Sequence, residues 1–140
     1  MTRITSLAIA VALSVLVIPI VSVAQQDQSA SSTNSIYVEL AKAPKKAAAR
    51  RNPLERDAEA PAAGAQLFAR HCAECHGETA EGGKKGPSLR APEVQQSPPG
   101  AIFWLLTNGV VRRGMPVWSK LPDAQRWQLV SYIKSLGTGS

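Results

Sequence analysis

Cys72-Ala73-Glu74-Cys75-His76 is the stretch from which the rest of the chain is read. It has the form C-x-x-C-H, the attachment signature of c-type haem. Two thiols three positions apart sit on one side of a helical turn. Both sulfurs then reach the two vinyl groups of one porphyrin and form thioether bonds. The following residue, His76, falls under the ring with an imidazole nitrogen aimed at the iron, as a proximal ligand. Cys72 and Cys75 would hold the group, and His76 would ligate its metal. The same residues admit three rival readings: a thiol–disulfide redox pair, half of a zinc site, or a structural disulfide. Zinc usually takes four ligands, and the chain offers no further Cys and one other His, His71. A redox dithiol belongs after a strand in a βαβ unit, and no such pattern surrounds this motif.

Upstream of the motif the pattern is helical. Gly64, Phe68 and Cys72 recur at i, i+4 and i+8 with Leu67 beside them, so one apolar face runs into the motif. Pro61 suits the first turn of that helix. Downstream, Gly77, Gly82, Gly83 and Gly86 break regular structure, and the loop carrying Lys84 and Lys85 ends at Gly86-Pro87-Ser88-Leu89. A second helix is expected from Pro98 or Pro99 to about Thr107, capped by Ser97, with Ile102, Leu105 and Leu106 on its apolar face. Asn108-Gly109 ends it, the glycine taking a left-handed stop. A third helix starts around Leu121-Pro122-Asp123, with Asp123 at the positive end of the dipole. It presents Trp127, Val130, Ile133 and Leu136 on one face and ends at Gly137. No stretch alternates as a strand. The reading is an all-α domain over 61–138, its three main helices packed around one covalently bound haem. About 75–80 residues make a small core, and a large apolar prosthetic group would complete it.

Between the last two helices, Arg112-Arg113-Gly114-Met115-Pro116-Val117-Trp118 reads as a loop. Met115 is the only methionine besides the initiator. A thioether opposite a histidine raises the potential of haem iron and suits electron transfer, so Met115 is the expected sixth ligand; the alternative is core filler. His71 abuts Cys72 on the proximal side and is read as a surface or haem-rim residue. Lys84, Lys85, Arg112 and Arg113 come from the two loops expected near the haem edge. They form either a positive docking rim or plain solvated charge.

The N-terminus reads as an export signal over 1–24: Arg3, an apolar run from Leu7 to Ile20, and Ser22-Val23-Ala24 before the cut. An uncleaved membrane anchor is the alternative. Residues 25–60 are expected to be a disordered, basic linker, in which the basic run Lys42 to Arg51 is solvated chain or, alternatively, a docking arm, and the short apolar patch Ile36 to Leu40 adds a turn, a strand or nothing. The formal charge is +6 with 16 basic and 10 acidic residues; losing Arg3 leaves 16 − 1 = 15 basic, hence 15 − 10 = +5. That balance favours acidic protein surfaces or an anionic membrane. The basic residues do not line one recognition helix, which argues against nucleic acid.

From about Pro61 to Leu136 the chain resembles the class I mono-haem cytochromes c. The resemblance rests on Gly64-x-x-x-Phe68 before Cys72–His76, on Gly86-Pro87-Ser88-Leu89, on Gly114-Met115-Pro116-Val117-Trp118 and on Leu129-x-x-Tyr132. It implies that the first and last helices cross, with Gly64 and Phe68 against Leu129 and Tyr132. It implies that the Pro87 carbonyl accepts a hydrogen bond from His76 Nδ1. The segment around Ile102-Phe103-Trp104 looks like small cytochromes that serve periplasmic quinoprotein dehydrogenases or terminal oxidases. The resemblance thus implies a non-enzymatic periplasmic electron carrier with one haem c and a dehydrogenase or oxidase as redox partner. The alternatives are a haem-bearing subunit permanently bound to such an enzyme, or an open-site haem protein with peroxidase or ligand-binding activity. No acid–base or nucleophile constellation stands out in the sequence.

Overall fold

A computed structural model describes residues 37–137; the expected signal segment 1–24 and the first part of the expected linker lie outside them. The backbone of 37–41 is helical. It is followed by α1 (Lys45–Ala48), α2 (Ala60–His71), α3 (Ala73–His76), α4 (Pro92–Gln96), α5 (Pro99–Asn108), a 3-10 turn (Val111–Arg113) and α6 (Asp123–Ser135). The described residues contain no strand, only one isolated bridge between Val110 and Met115. The fold is all-α, with α2, α5 and α6 as its main helices. Among the described residues no helix is long and apolar enough to cross a membrane.

Prolines set three of the helix starts. Pro61, Pro92 and Pro99 each stand in a first turn, where the missing N–H has no intrahelical partner to lose. The cap expected of Ser97 is absent: Pro98 occupies the N-cap of α5, and Ser97 Oγ donates to the Glu93 carbonyl at 2.6 Å, closing α4 instead. Gly109 stops α5 with φ 64° but an extended ψ of −176°, so the chain leaves straight rather than curling into a left-handed turn.

Helices α2 and α6 approach each other closely. A Cβ on Gly64 would lie 2.0 Å from the Gln128 carbonyl oxygen and 2.8 Å from Tyr132 Cβ, so only glycine lets these helices touch. One turn later Phe68 packs against Tyr132, ring centroids 5.1 Å apart and tilted by 48°. On the other side of α6, Trp127 stacks on Phe103 of α5 at 4.1 Å, and the Arg50 and Arg126 guanidiniums lie over the Phe103 ring at 4.6 and 4.7 Å. Trp127, Val130 and Ile133 of the expected stripe are buried with Leu67, Phe68, Ile102, Phe103, Leu106 and Leu129, while Leu136 is half-buried. Arg126 is buried too, its guanidinium bonded to Asp123 and to Thr107 Oγ1.

The described part of the expected linker is not loose. Residues 37–60 fold back over the helices at several anchors. Tyr37 is buried, and its hydroxyl donates to the Ser88 carbonyl at 3.0 Å. A Cβ on Gly100 would meet the Ala47, Ala48 and Arg50 carbonyls at 2.2, 2.7 and 2.8 Å, so α1 lies directly on α5. Asn52 is buried; its Nδ2 donates to the Ser131 hydroxyl at 2.8 Å and the Trp127 carbonyl at 3.4 Å, and its Oδ1 accepts from the Leu54 amide at 2.9 Å. The basic side chains Lys45, Lys46 and Arg50 are exposed, as a charged run suggests. What packs there is backbone, an alanine pair and one asparagine, none of which gives an apolar periodicity.

Candidate haem site

Cys72 ends α2 with φ −126°, which breaks the helix and restarts it one residue later as the single turn α3. That turn carries Cys75 and His76, and Gly77, at φ 83°, stops it. The chain then loops back beneath His76. The Gly82 amide donates to the His76 carbonyl at 2.7 Å, and Gly83 to the Gly86 carbonyl at 2.9 Å. A Cβ on Gly86 would stand 2.9 Å from the Cys75 carbonyl oxygen and 3.1 Å from two atoms of the His76 ring. Glycine there lets the loop come close enough to bring the Pro87 carbonyl 2.8 Å from His76 Nδ1. A carbonyl only accepts, so Nδ1 carries the proton in this bond and Nε2 keeps its lone pair for a metal.

Met115 comes from a different loop. Its amide and carbonyl both bond Val110, at 3.2 and 3.0 Å, closing a tight loop over 111–114 in which Gly114 adopts the left-handed conformation. Trp118 donates its amide to the Leu106 carbonyl at 3.0 Å and ties the loop's exit to α5. The Met115 side chain is half-buried and packs against the core.

Cys72, Cys75, His76, Pro87 and Met115 all line one cavity of about 720 Å³. That lies in the range of small-molecule and cofactor sites. Its walls are largely apolar, including Phe68, Ile102, Leu106, Leu129 and Ile133. Two thiols, an imidazole and a thioether lining one largely apolar cavity suit a flat, apolar, iron-bearing ring. They do not suit zinc: among the described residues no three His, Cys, Asp or Glu side chains converge as a metal-holding group. A redox dithiol fits no better. Burial, and then the neighbouring Cys75, push the Cys72 thiol up to about 11, whereas reactive dithiols have a depressed value. His71 is exposed on the cavity's edge, its ring 5.3 Å from that of Trp118.

Tyr37, Glu39 and Leu40, from the short apolar patch of the expected linker, line the same cavity, a role the sequence does not reveal. Their signal, an aromatic and a leucine in Tyr-Val-Glu-Leu, is too short to carry a period. The expected positive rim is largely compensated. Lys85 donates to Glu74 at 2.6 Å, raising the lysine and lowering the carboxyl. Arg112 and Arg113 both face Glu39, which Lys42 also binds at 2.8 Å. The Lys42 hydrogen bond, then that of Arg112, hold the Glu39 carboxyl below the usual carboxylate range.

No solved structure matches the chain. It is 35% identical over 86 residues to the Cbb3-type cytochrome c oxidase subunit FixP of Bradyrhizobium sp. (strain ORS 278), an alignment covering 56% of this chain and 28% of that protein. The chain thus spans little more than a quarter of the length of the curated relative it matches. Residues 59–133 match the family described as Cytochrome C oxidase, cbb3-type, subunit III, more than half of the chain. It belongs to that family of haem-bearing electron-transfer cytochromes c.

Proposed function

We propose that this domain passes single electrons through one haem c, held by thioethers to Cys72 and Cys75 and ligated by His76 and Met115. Haem supplies a one-electron ferrous–ferric couple. The chain's residues set how that couple behaves. The Pro87 carbonyl keeps the proton on His76 Nδ1, which fixes the ring and makes the free nitrogen a stronger donor. Met115 offers a soft, neutral sulfur that favours the reduced state, and the apolar walls keep water away and favour the lower charge. With His76 and Met115 both holding the iron, small ligands would be shut out, and the domain would transfer electrons without doing chemistry on a substrate. The observation that carries this reading is the convergence of Cys72, Cys75, His76 and Met115 on one cavity, with His76 Nδ1 2.8 Å from the Pro87 oxygen.

The partner we propose is a terminal oxidase, with the haem domain outside the cytoplasm after export through residues 1–24. The family's name favours lasting attachment to such an oxidase over free shuttling. Acid–acetone extraction tests the cofactor: one haem should stay with the polypeptide through extraction and a denaturing gel, and its release would overturn covalent attachment. Purification in mild detergent tests the partner: an oxidase that co-elutes through size exclusion supports the subunit, and a lone cytochrome supports the shuttle.

A further inference from the structure

The helical stretch 37–41 contacts two separate loops within one turn. Tyr37 donates its hydroxyl to the carbonyl of Ser88, the residue after Pro87. Glu39, two residues on, accepts from Arg112 and lies 3.7 Å from Arg113 Nε, both in the turn that immediately precedes Gly114-Met115. Tyr37, Glu39, Pro87, Ser88 and Met115 line the same cavity. This stretch lies outside residues 59–133, which match the cytochrome family.

We propose that Glu39 is a positioning residue for Met115: with Tyr37 it forms a clamp that holds the Met115 loop closed against the loop beneath His76. The part concerning iron ligation rests on the axial pair proposed above; the clamp itself does not. The loop over 111–114 is exposed, and the Val110–Met115 pair and the turn bonds within it hold its backbone. A pair of exposed charges would hold it weakly, but this arrangement is a network. The Glu39 side chain is only 12% exposed, and one of its oxygens takes Lys42, Arg112 and Arg113 together. Removing that charge leaves three cations facing one another, so the loop is pushed outward as well as released.

Glu39→Gln keeps the size and removes the charge. The Val110 and Met115 amides bond each other's residues, so their hydrogen exchange reports loop opening directly. In the holoprotein both amides should exchange several-fold faster in Glu39→Gln, while α2 and α6 amides keep their wild-type rates. Carbon monoxide uptake by the ferrous protein should rise in parallel, and the reduction potential should fall. In an Arg112→Gln, Arg113→Gln background, Glu39→Gln should add little to loop opening, because its partners in the loop are already gone and only Lys42, outside the loop, remains. Tyr37→Phe should speed exchange at the Leu89 amide instead, next to the Ser88 carbonyl it releases. Unchanged Val110 and Met115 exchange in Glu39→Gln overturns the clamp, and so does acceleration spread evenly over the molecule. If Met115→Ala leaves ligand uptake and potential at wild-type values, the axial assignment fails, and the two amides still decide the clamp.

Discussion

Gly64→Ala probes the contact on which the fold closes. In an ordinary helix interior this change stabilises by about 1 kcal/mol, because alanine is the better helix former. Here the new methyl would sit 2.0 Å from the Gln128 carbonyl oxygen, 1.4 Å inside the 3.4 Å at which ordinary contact begins, and 2.7 Å from that residue's carbonyl carbon. Both are backbone atoms of α6, so no side chain can swing aside. The helices must part, and Phe68 and Leu129, each 1% exposed, lose their packing. Overpacking of this kind costs up to about 3 kcal/mol. Offsetting the propensity gain leaves a loss of about 2 kcal/mol. At about 4–8 °C per kcal/mol for a domain of this size, Tm should fall by about 8–16 °C. Thermal unfolding of the holoprotein, followed by far-ultraviolet circular dichroism, measures it. A Tm equal to or above that of the wild type would refute the close approach of α2 and α6.

Asn52→Ala removes a buried amide that serves Trp127, Ser131 and Leu54, and should cost about 1–3 kcal/mol by urea unfolding. A change within error would mean that residues 37–60 are the loose linker their composition suggested. Gly86→Ala places a methyl against the His76 ring and should lift the Pro87 carbonyl off Nδ1. Its reduction potential should therefore move and its yield of assembled haem protein fall, and a wild-type potential would count against that carbonyl's role. Lys84, Lys85 and Arg113 line the cavity with Glu39, Glu74 and Glu81, which makes 3 − 3 = 0, and Arg112 pairs with Glu39. Electron transfer to the partner should accordingly depend only shallowly on ionic strength; a steep fall with salt would show that the carboxylates do not compensate the rim.

The sequence carried the helical core well because its signals are local. Gly64, Phe68 and the Trp127–Ile133 face recur at helical spacing, and Pro61 and Pro99 stand where their fixed φ is tolerated. The candidate site was legible for a similar reason: C-x-x-C-H is contiguous, and Met115 is conspicuous between Gly114 and Pro116. What stayed hidden acts through space rather than along the chain. Glu39 and Arg112 are 73 residues apart, and Asn52 reaches Ser131 across 79. Neither pairing leaves a period or a motif. Ser97 misled because the same hydroxyl serves as well at the end of α4 as at the start of α5, and Pro98 took the cap position.

The most direct test of the account is the visible spectrum of the ferric protein, recorded for the wild type and for Met115→Ala. Thioether ligation gives a weak band near the red end that open-site haem lacks. The account predicts that band in the wild type and its loss in Met115→Ala, with the variant's haem still covalently attached. A wild-type spectrum without the band, or a variant that keeps it, would contradict His76–Met115 ligation.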